Sequence, residues 1–171
     1  MADFNTALVL TLQHEGGFEH NTVTGEIVNH GVTLWTLRSL GILKSTGDPT
    51  PADIVFVQHL SVEEAGDIYR QQYWDKLQLD QFKDQALANK TFDLAVNTGT
   101  NEATRFLQNA AGVPVDGQMG PMTLAAVNSG DPPTLLLGLQ NTAARYYRQV
   151  AQVNPNLAPD LPGWLNRLYS A

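Results

Sequence analysis

Apolar residues recur along most of this chain at the three- and four-residue spacing of an α-helix, and glycine or proline interrupts the pattern every few turns. That alternation admits a set of short amphipathic helices and little else. Asp3 reads as the N-cap of a first helix with Phe4, Ala7, Leu8 and Leu12 on one face. Leu34 to Leu43 recovers the helical pattern, and "STGDPTPAD" reads as a loop. Ser61-Val62-Glu63-Glu64 is a capping box that opens a helix through Ala65, Ile68, Tyr69 and Tyr73. A further helix is expected from about Asp84 to Asn97, stopping at Gly99, and Asn101 reads as the cap of the next, with Ala103, Phe106, Leu107 and Ala110 as its stripe. Gly120-Pro121 and Asp131-Pro132 are proline-first starts, the second for the longest helix, with Leu135, Leu139, Ala143, Tyr146 and Val150 inward. Pro155, Pro159 and Pro162 read as a loop before a final "GWLNRLY" turn or short helix. The expected fold class is mainly α.

One segment breaks the pattern. In "TLQHEGGFEHNTVTGEIVNHGVT" the first helix dissolves into glycine, asparagine and threonine. Thr24-Gly25 reads as a turn and Ile27-Val28 as the only β-prone pair, so a small hairpin-like region is expected after the first helix. At the changeover stands Glu15, between His14 and Gly16-Gly17. The helix dipole disfavours a carboxylate at a C-terminus. A placement that is poor for stability suits a proton donor, because a general acid must hold its proton near neutral pH. The glycine pair is expected to turn the backbone sharply and keep a cleft open beside it. The bland alternative is a solvated helix-end residue followed by an ordinary C-cap glycine.

Composition narrows the chemistry. A formal net charge of −7, with lysine and arginine scattered, argues against a nucleic-acid footprint. The absence of cysteine removes disulfides and thiolate zinc sites, and the four histidines lack zinc-ligand spacing. There is no phosphate loop and no serine-nucleophile elbow. A cofactor-free, metal-free hydrolase fits what remains. "MADFNTALVL" carries no basic n-region or cleavage site, and no apolar run is long enough to span a bilayer, so the expectation is a chain cytoplasmic as synthesised, without membrane insertion.

The ordered motifs "HEGGF", "NHGVT", "IYRQQYW", "FDLAVNTGT", "LQNAAGVPVDGQMGPMTLAAVN" and "GWLNR" resemble glycoside hydrolase family 108, lysozyme-like N-acetylmuramidases of bacteriophages and bacteria. The resemblance covers nearly the whole chain. It implies a lysozyme-like helical fold, with a catalytic region over residues 1–100 and a predicted peptidoglycan-binding region over 101–171. It implies peptidoglycan glycan strands as partner and substrate, no cofactor, action on the cell wall after release, and an endolysin-type role, with a monomer as the favoured state. A catalytically silent wall-binding or virion protein, or a chitinase-like glycosidase, stands as the alternative.

The family's catalytic glutamate corresponds to Glu15. The chain departs from the pattern at Val23, where an aspartate is expected, and at Val28, where a threonine is expected, while Asn29, Gly31 and Thr33 are retained. Glu26, or Glu19, is left to supply the missing carboxylate, with Glu26 the first candidate for orienting water. Thr33 and Asn29 are expected to hold that water by neutral hydrogen bonds. His30 is expected in the cleft lining, or else simply exposed. Asn97, on the helix face of Asp93, is expected near the groove or as a helix cap; for Asp93 a structural role is preferred. Tyr69 and Tyr73 read as core stripe, and Trp74 is the aromatic expected to stack on sugar.

Overall fold

Side-chain oxygens set most of the helix starts. In the computed structural model, which describes residues 1–170, nine α-helices and one three-stranded sheet form, and the chain is mainly α. α1 spans Phe4–Leu12 and opens where the Asp3 carboxylate accepts from the Thr6 N–H and hydroxyl, each at 2.7 Å. The sheet follows at once, with β1 Glu19–His20, β2 Ile27–Asn29 and β3 Val32–Thr33 in antiparallel order. Then come α2 (Leu34–Ser39), α3 (Pro51–Gln58), α4 (Val62–Tyr69) and a π turn over Arg70–Trp74. α5 (Gln85–Thr98), α6 (Thr100–Ala111), α7 (Pro121–Ser129), α8 (Pro132–Val153) and α9 (Leu161–Tyr169) complete the chain. No helix among the described residues is long and apolar enough to cross a membrane.

The chain divides into two compact units, residues 8–69 and residues 1–7 with 70–171. In the first, Ile27, Val32, Leu37, Val57, Leu60, Ala65 and Ile68 form the core. α3 begins inside the stretch read as a loop. Thr50 and Asp53 form a reciprocal capping box around Pro51 at the first turn, a start signal that outweighs the proline-rich look of the segment. Asp53 also takes the Ser45 hydroxyl at 2.6 Å and the Arg38 guanidinium at 3.2 Å, which fastens the 40–50 loop to α2 and α3.

In the second unit Phe4, Trp74 and Phe92 meet edge to face, with ring centroids 5.5 to 5.9 Å apart. α6 lies along α8. A methyl on Gly138 would come within 3.0 Å of the Ala110 Cβ, so the small pair sets how closely the two helices approach. Buried Gln108 holds the "DGQMG" turn, accepting from the Gly117 N–H at 2.9 Å and donating to the Asp116 carboxylate at 2.7 Å. Two boundaries differ from the sequence reading. Gly99, not Asn101, precedes α6, and Asn101 instead donates to the Gly117 carbonyl. The stretch after Pro155 is a 3₁₀ turn running straight into α9, because proline is well tolerated in the first turn of a helix.

Candidate active site

α1 ends at Leu12, earlier than the sequence pattern suggests, and the chain tightens rather than unravelling. The His14 and Glu15 N–H groups donate to the Thr11 and Leu12 carbonyls at 3.0 and 3.2 Å. These short turns carry Glu15, half-buried, past the helix end and into the sheet region. The chain bends at Glu15 and at Gly17, without the left-handed backbone that only glycine favours. A side-chain atom added to Gly16 or Gly17 would meet nothing within 4 Å. Their contribution is open space beside Glu15.

The opposite wall is a two-residue turn. His30 and Gly31, at φ 49° and 73°, join β2 to β3 with both residues left-handed, the type I′ geometry that suits the twist of a tight hairpin. A Cβ on Gly31 would overlap the Tyr69 hydroxyl and lie 2.7 Å from Glu15 Oε2 and 3.0 Å from its Cδ. Carboxylate, phenol and turn therefore converge on one point. Tyr69 is almost fully buried, and its hydroxyl donates to the His30 carbonyl at 3.1 Å. The core-stripe reading of Tyr69, at the end of α4, is right for the ring and misses the hydroxyl, which lies with Glu15 at the Gly31 contact point.

The other expected site residues separate. Asn29 is tied into the fold through its amide. It is 4% exposed, and its amide donates to the Val57, Gln58 and Leu60 carbonyls at 3.0, 3.2 and 3.4 Å, tying β2 to the end of α3. Thr33 caps α2, its hydroxyl accepting from the Thr36 N–H at 3.0 Å. Glu26 is exposed on the hairpin tip, where its backbone pairs with Asn21. It precedes β2 whereas the His30-Gly31 turn follows it, so the two lie at opposite ends of a strand about 10 Å long at roughly 3.3 Å per residue. Glu19 sits better. The pairs Glu19–Val28 and Val28–Thr33 are in register, and directly opposed side chains share a face, so Glu19, Val28 and Thr33 form one row across the sheet. His30 contributes its carbonyl to Tyr69, and its ring is half-buried. Val23 is 93% exposed at the hairpin tip.

Trp74 cannot stack on a sugar. It is 1% exposed, sealed by Phe4 and Phe92, and has no free ring face to offer. The exposed tryptophan of the first unit is Trp35, 76% accessible and two residues after Thr33, which its place in a helical stripe concealed. Asn97 is exposed at the end of α5, one amide proton donated to the Asp93 carbonyl at 2.7 Å. Asp93 has the structural role expected of it, buried and paired with Arg167 at 2.9 Å.

Residues 8–99 match the model of glycosyl hydrolase 108, and residues 102–169 match that of a predicted peptidoglycan domain. The solved structure of SagA from Brucella abortus is similar at 25% sequence identity and a TM-score of 0.73, over 96% of this chain and 92% of that one. No curated protein matches. The fold is lysozyme-like, as the sequence motifs imply. With more than half of its length matched, the chain belongs to glycosyl hydrolase family 108, a glycoside hydrolase region followed by a peptidoglycan domain.

Proposed function

We propose that this protein is an N-acetylmuramidase that hydrolyses the β-1,4 bond from N-acetylmuramic acid to N-acetylglucosamine in peptidoglycan, with Glu15 as the general acid. The observation that carries the reading is the seat of Glu15. Its carboxylate lies against the Gly31 turn beside the Tyr69 phenol, with open space at Gly16 and Gly17 for a substrate. The Glu15 carboxyl gives its proton to the glycosidic oxygen as the C1–O bond breaks, and water adds to the anomeric carbon. The water's proton goes to a carboxylate on the opposite side of the sugar. Glu19, in the row with Thr33, is better placed for that task than Glu26. Trp35 offers an exposed aromatic face for a neighbouring sugar.

The test is mass analysis of purified sacculi digested by the wild type and by Glu15→Gln. Expected are new reducing N-acetylmuramic acid ends from the wild type, and a rate lower by about 10² or more for the variant, since general acid catalysis contributes roughly 10²–10⁴. Reducing N-acetylglucosamine ends, anhydro ends, or undiminished release by Glu15→Gln would each defeat the reading.

A further inference from the structure

The second unit contains a cleft of its own. It has a volume of about 280 Å³ and is lined by Asn97 and Thr98 from the end of α5, Tyr146, Tyr147 and Val150 from α8, and Trp164 from α9. Leu157, in the 3₁₀ turn before α9, closes one side. Its size is near the small end of ligand pockets, which run from about 300 to 1,000 Å³, and suits a single pyranose rather than a peptide.

The wall is aromatic and its polar groups are unspent. Tyr147 and Trp164 lie with centroids 5.5 Å apart, and Tyr146 meets Tyr147 at 5.9 Å. Buried or half-buried tyrosine and tryptophan normally place their O–H and N–H on a protein acceptor. Here neither the Tyr147 hydroxyl nor the Trp164 indole N–H has a partner among the described residues. Burial pushes the Tyr147 phenol up to about 12, so it remains a donor at any physiological pH. Asn97 uses one amide proton on the Asp93 carbonyl and keeps the other, together with Oδ1. Thr98 donates to the Leu94 carbonyl at 2.8 Å and retains its oxygen as an acceptor.

No charged side chain lines this cleft. The neighbouring cleft across Tyr146 differs, with Glu102, Arg105 and Arg145 in its wall. A ligand with carboxylates would find cations in that wall and none in the lining of this one. We infer that the Asn97–Tyr147–Trp164 cleft binds one neutral N-acetylated pyranose, the ring stacking on the aromatics and the hydroxyl or acetamido groups bonding to Asn97 and the Tyr147 phenol. The inference rests on the reading of the substrate as a glycan strand and adds to it a sugar-holding site formed by residues of the second unit.

The chain has three tryptophans, which makes them separable reporters. Full-length Glu15→Gln protein, labelled with 5-fluorotryptophan, is titrated with the N-acetylglucosamine trimer and followed by fluorine NMR, with resonances assigned from single Trp→Phe variants. The Trp164 signal is expected to shift saturably while that of buried Trp74 stays fixed. Asn97→Ala, a change at an exposed position that leaves the fold intact, is expected to weaken the Trp164-detected Kd at least about fivefold, the value of one lost hydrogen bond. A Trp164 signal that does not move, that moves equally in Asn97→Ala, or that responds to free stem peptide instead of sugar overturns the inference. Sacculus hydrolysis by the wild type is scored separately. Hydrolysis with a silent Trp164 sinks the cleft alone, and a responding Trp164 without hydrolysis sinks the catalytic reading alone.

Discussion

The carboxylate of Glu15 and the backbone of Gly31 share a contact that leaves no room for a side chain. Gly31 stands at φ 73°, and the position of its missing Cβ lies 2.7 Å from Glu15 Oε2. A left-handed turn residue and a carboxylate have been fitted to each other, so the turn sets where Glu15 rests. Gly31→Ala is therefore expected to fail twice. The left-handed backbone adds strain of about 1–2 kcal/mol for a residue with a Cβ, and the methyl must displace both Glu15 and Tyr69. A lowered Tm with sacculus hydrolysis reduced at least as far as in Glu15→Gln is the expected pair of readings. Gly16→Ala, where a methyl meets nothing, is the matched control and should keep its Tm.

Tyr69 positions rather than reacts. Its hydroxyl donates to the His30 carbonyl at 3.1 Å and shares the Gly31 contact point with Glu15. Tyr69→Phe keeps the buried ring and removes the donor, so the fold should survive. Loss of about one hydrogen bond's worth of order, roughly 1 kcal/mol, corresponds to a fall in turnover of about fivefold. A variant with wild-type rate would confine Tyr69 to packing.

The sequence made the helices legible because their starts are local. Asp3, Ser61 with Glu64, and Asp131 each cap within three residues of themselves, and such signals need no knowledge of the fold. The same chemistry was present at Thr50 and Asp53 but lay hidden among prolines. Glu15 was singled out because by sequence it breaks a local rule about helix ends, although α1 stops three residues earlier at Leu12. Its surroundings were not legible, since Tyr69 lies far along the chain and reads as core by spacing. Trp74 misled for the converse reason, as the polar residues after it say nothing of Phe4 and Phe92, which cover it.

Asp53 predicts how the first unit responds to acid. The Ser45 hydroxyl foremost, then the Thr50 N–H and hydroxyl, and also the Arg38 guanidinium hold its carboxyl far below the usual carboxylate range. A depressed folded value means that the unfolded chain takes up the proton first. The stabilisation is complete above the ordinary aspartate value of 3.8 and is lost as pH falls below it toward the folded value. Asp53→Asn should lower Tm at neutral pH by several degrees and flatten the decline of stability between about pH 4 and pH 2. Equal acid slopes for variant and wild type would place the acid sensitivity elsewhere.

The anchor of α9 gives a prediction about the second unit. Asp93 accepts from Arg167 through Nε at 3.0 Å and a terminal nitrogen at 2.9 Å, and Lys90 lies 3.9 Å from its other oxygen while donating to the Arg167 and Ser170 carbonyls. All three side chains are largely buried, and burial pushes the Lys90 ammonium below its ordinary value. The two partners of Asp93 are therefore not equivalent. Removing Lys90 as Lys90→Met leaves Asp93 satisfied by Arg167 and replaces a costly buried charge with a thioether of similar length, a change expected to stay within about 1.5 kcal/mol. Removing the carboxylate as Asp93→Ala takes the anion from between two cations in a largely buried site and should destabilise by about 3 kcal/mol or more. Urea denaturation of both variants checks the order. If α9 is held by this anchor, Asp93→Ala should also raise amide hydrogen exchange through residues 161–169, where Trp164 sits, and Lys90→Met should raise it far less.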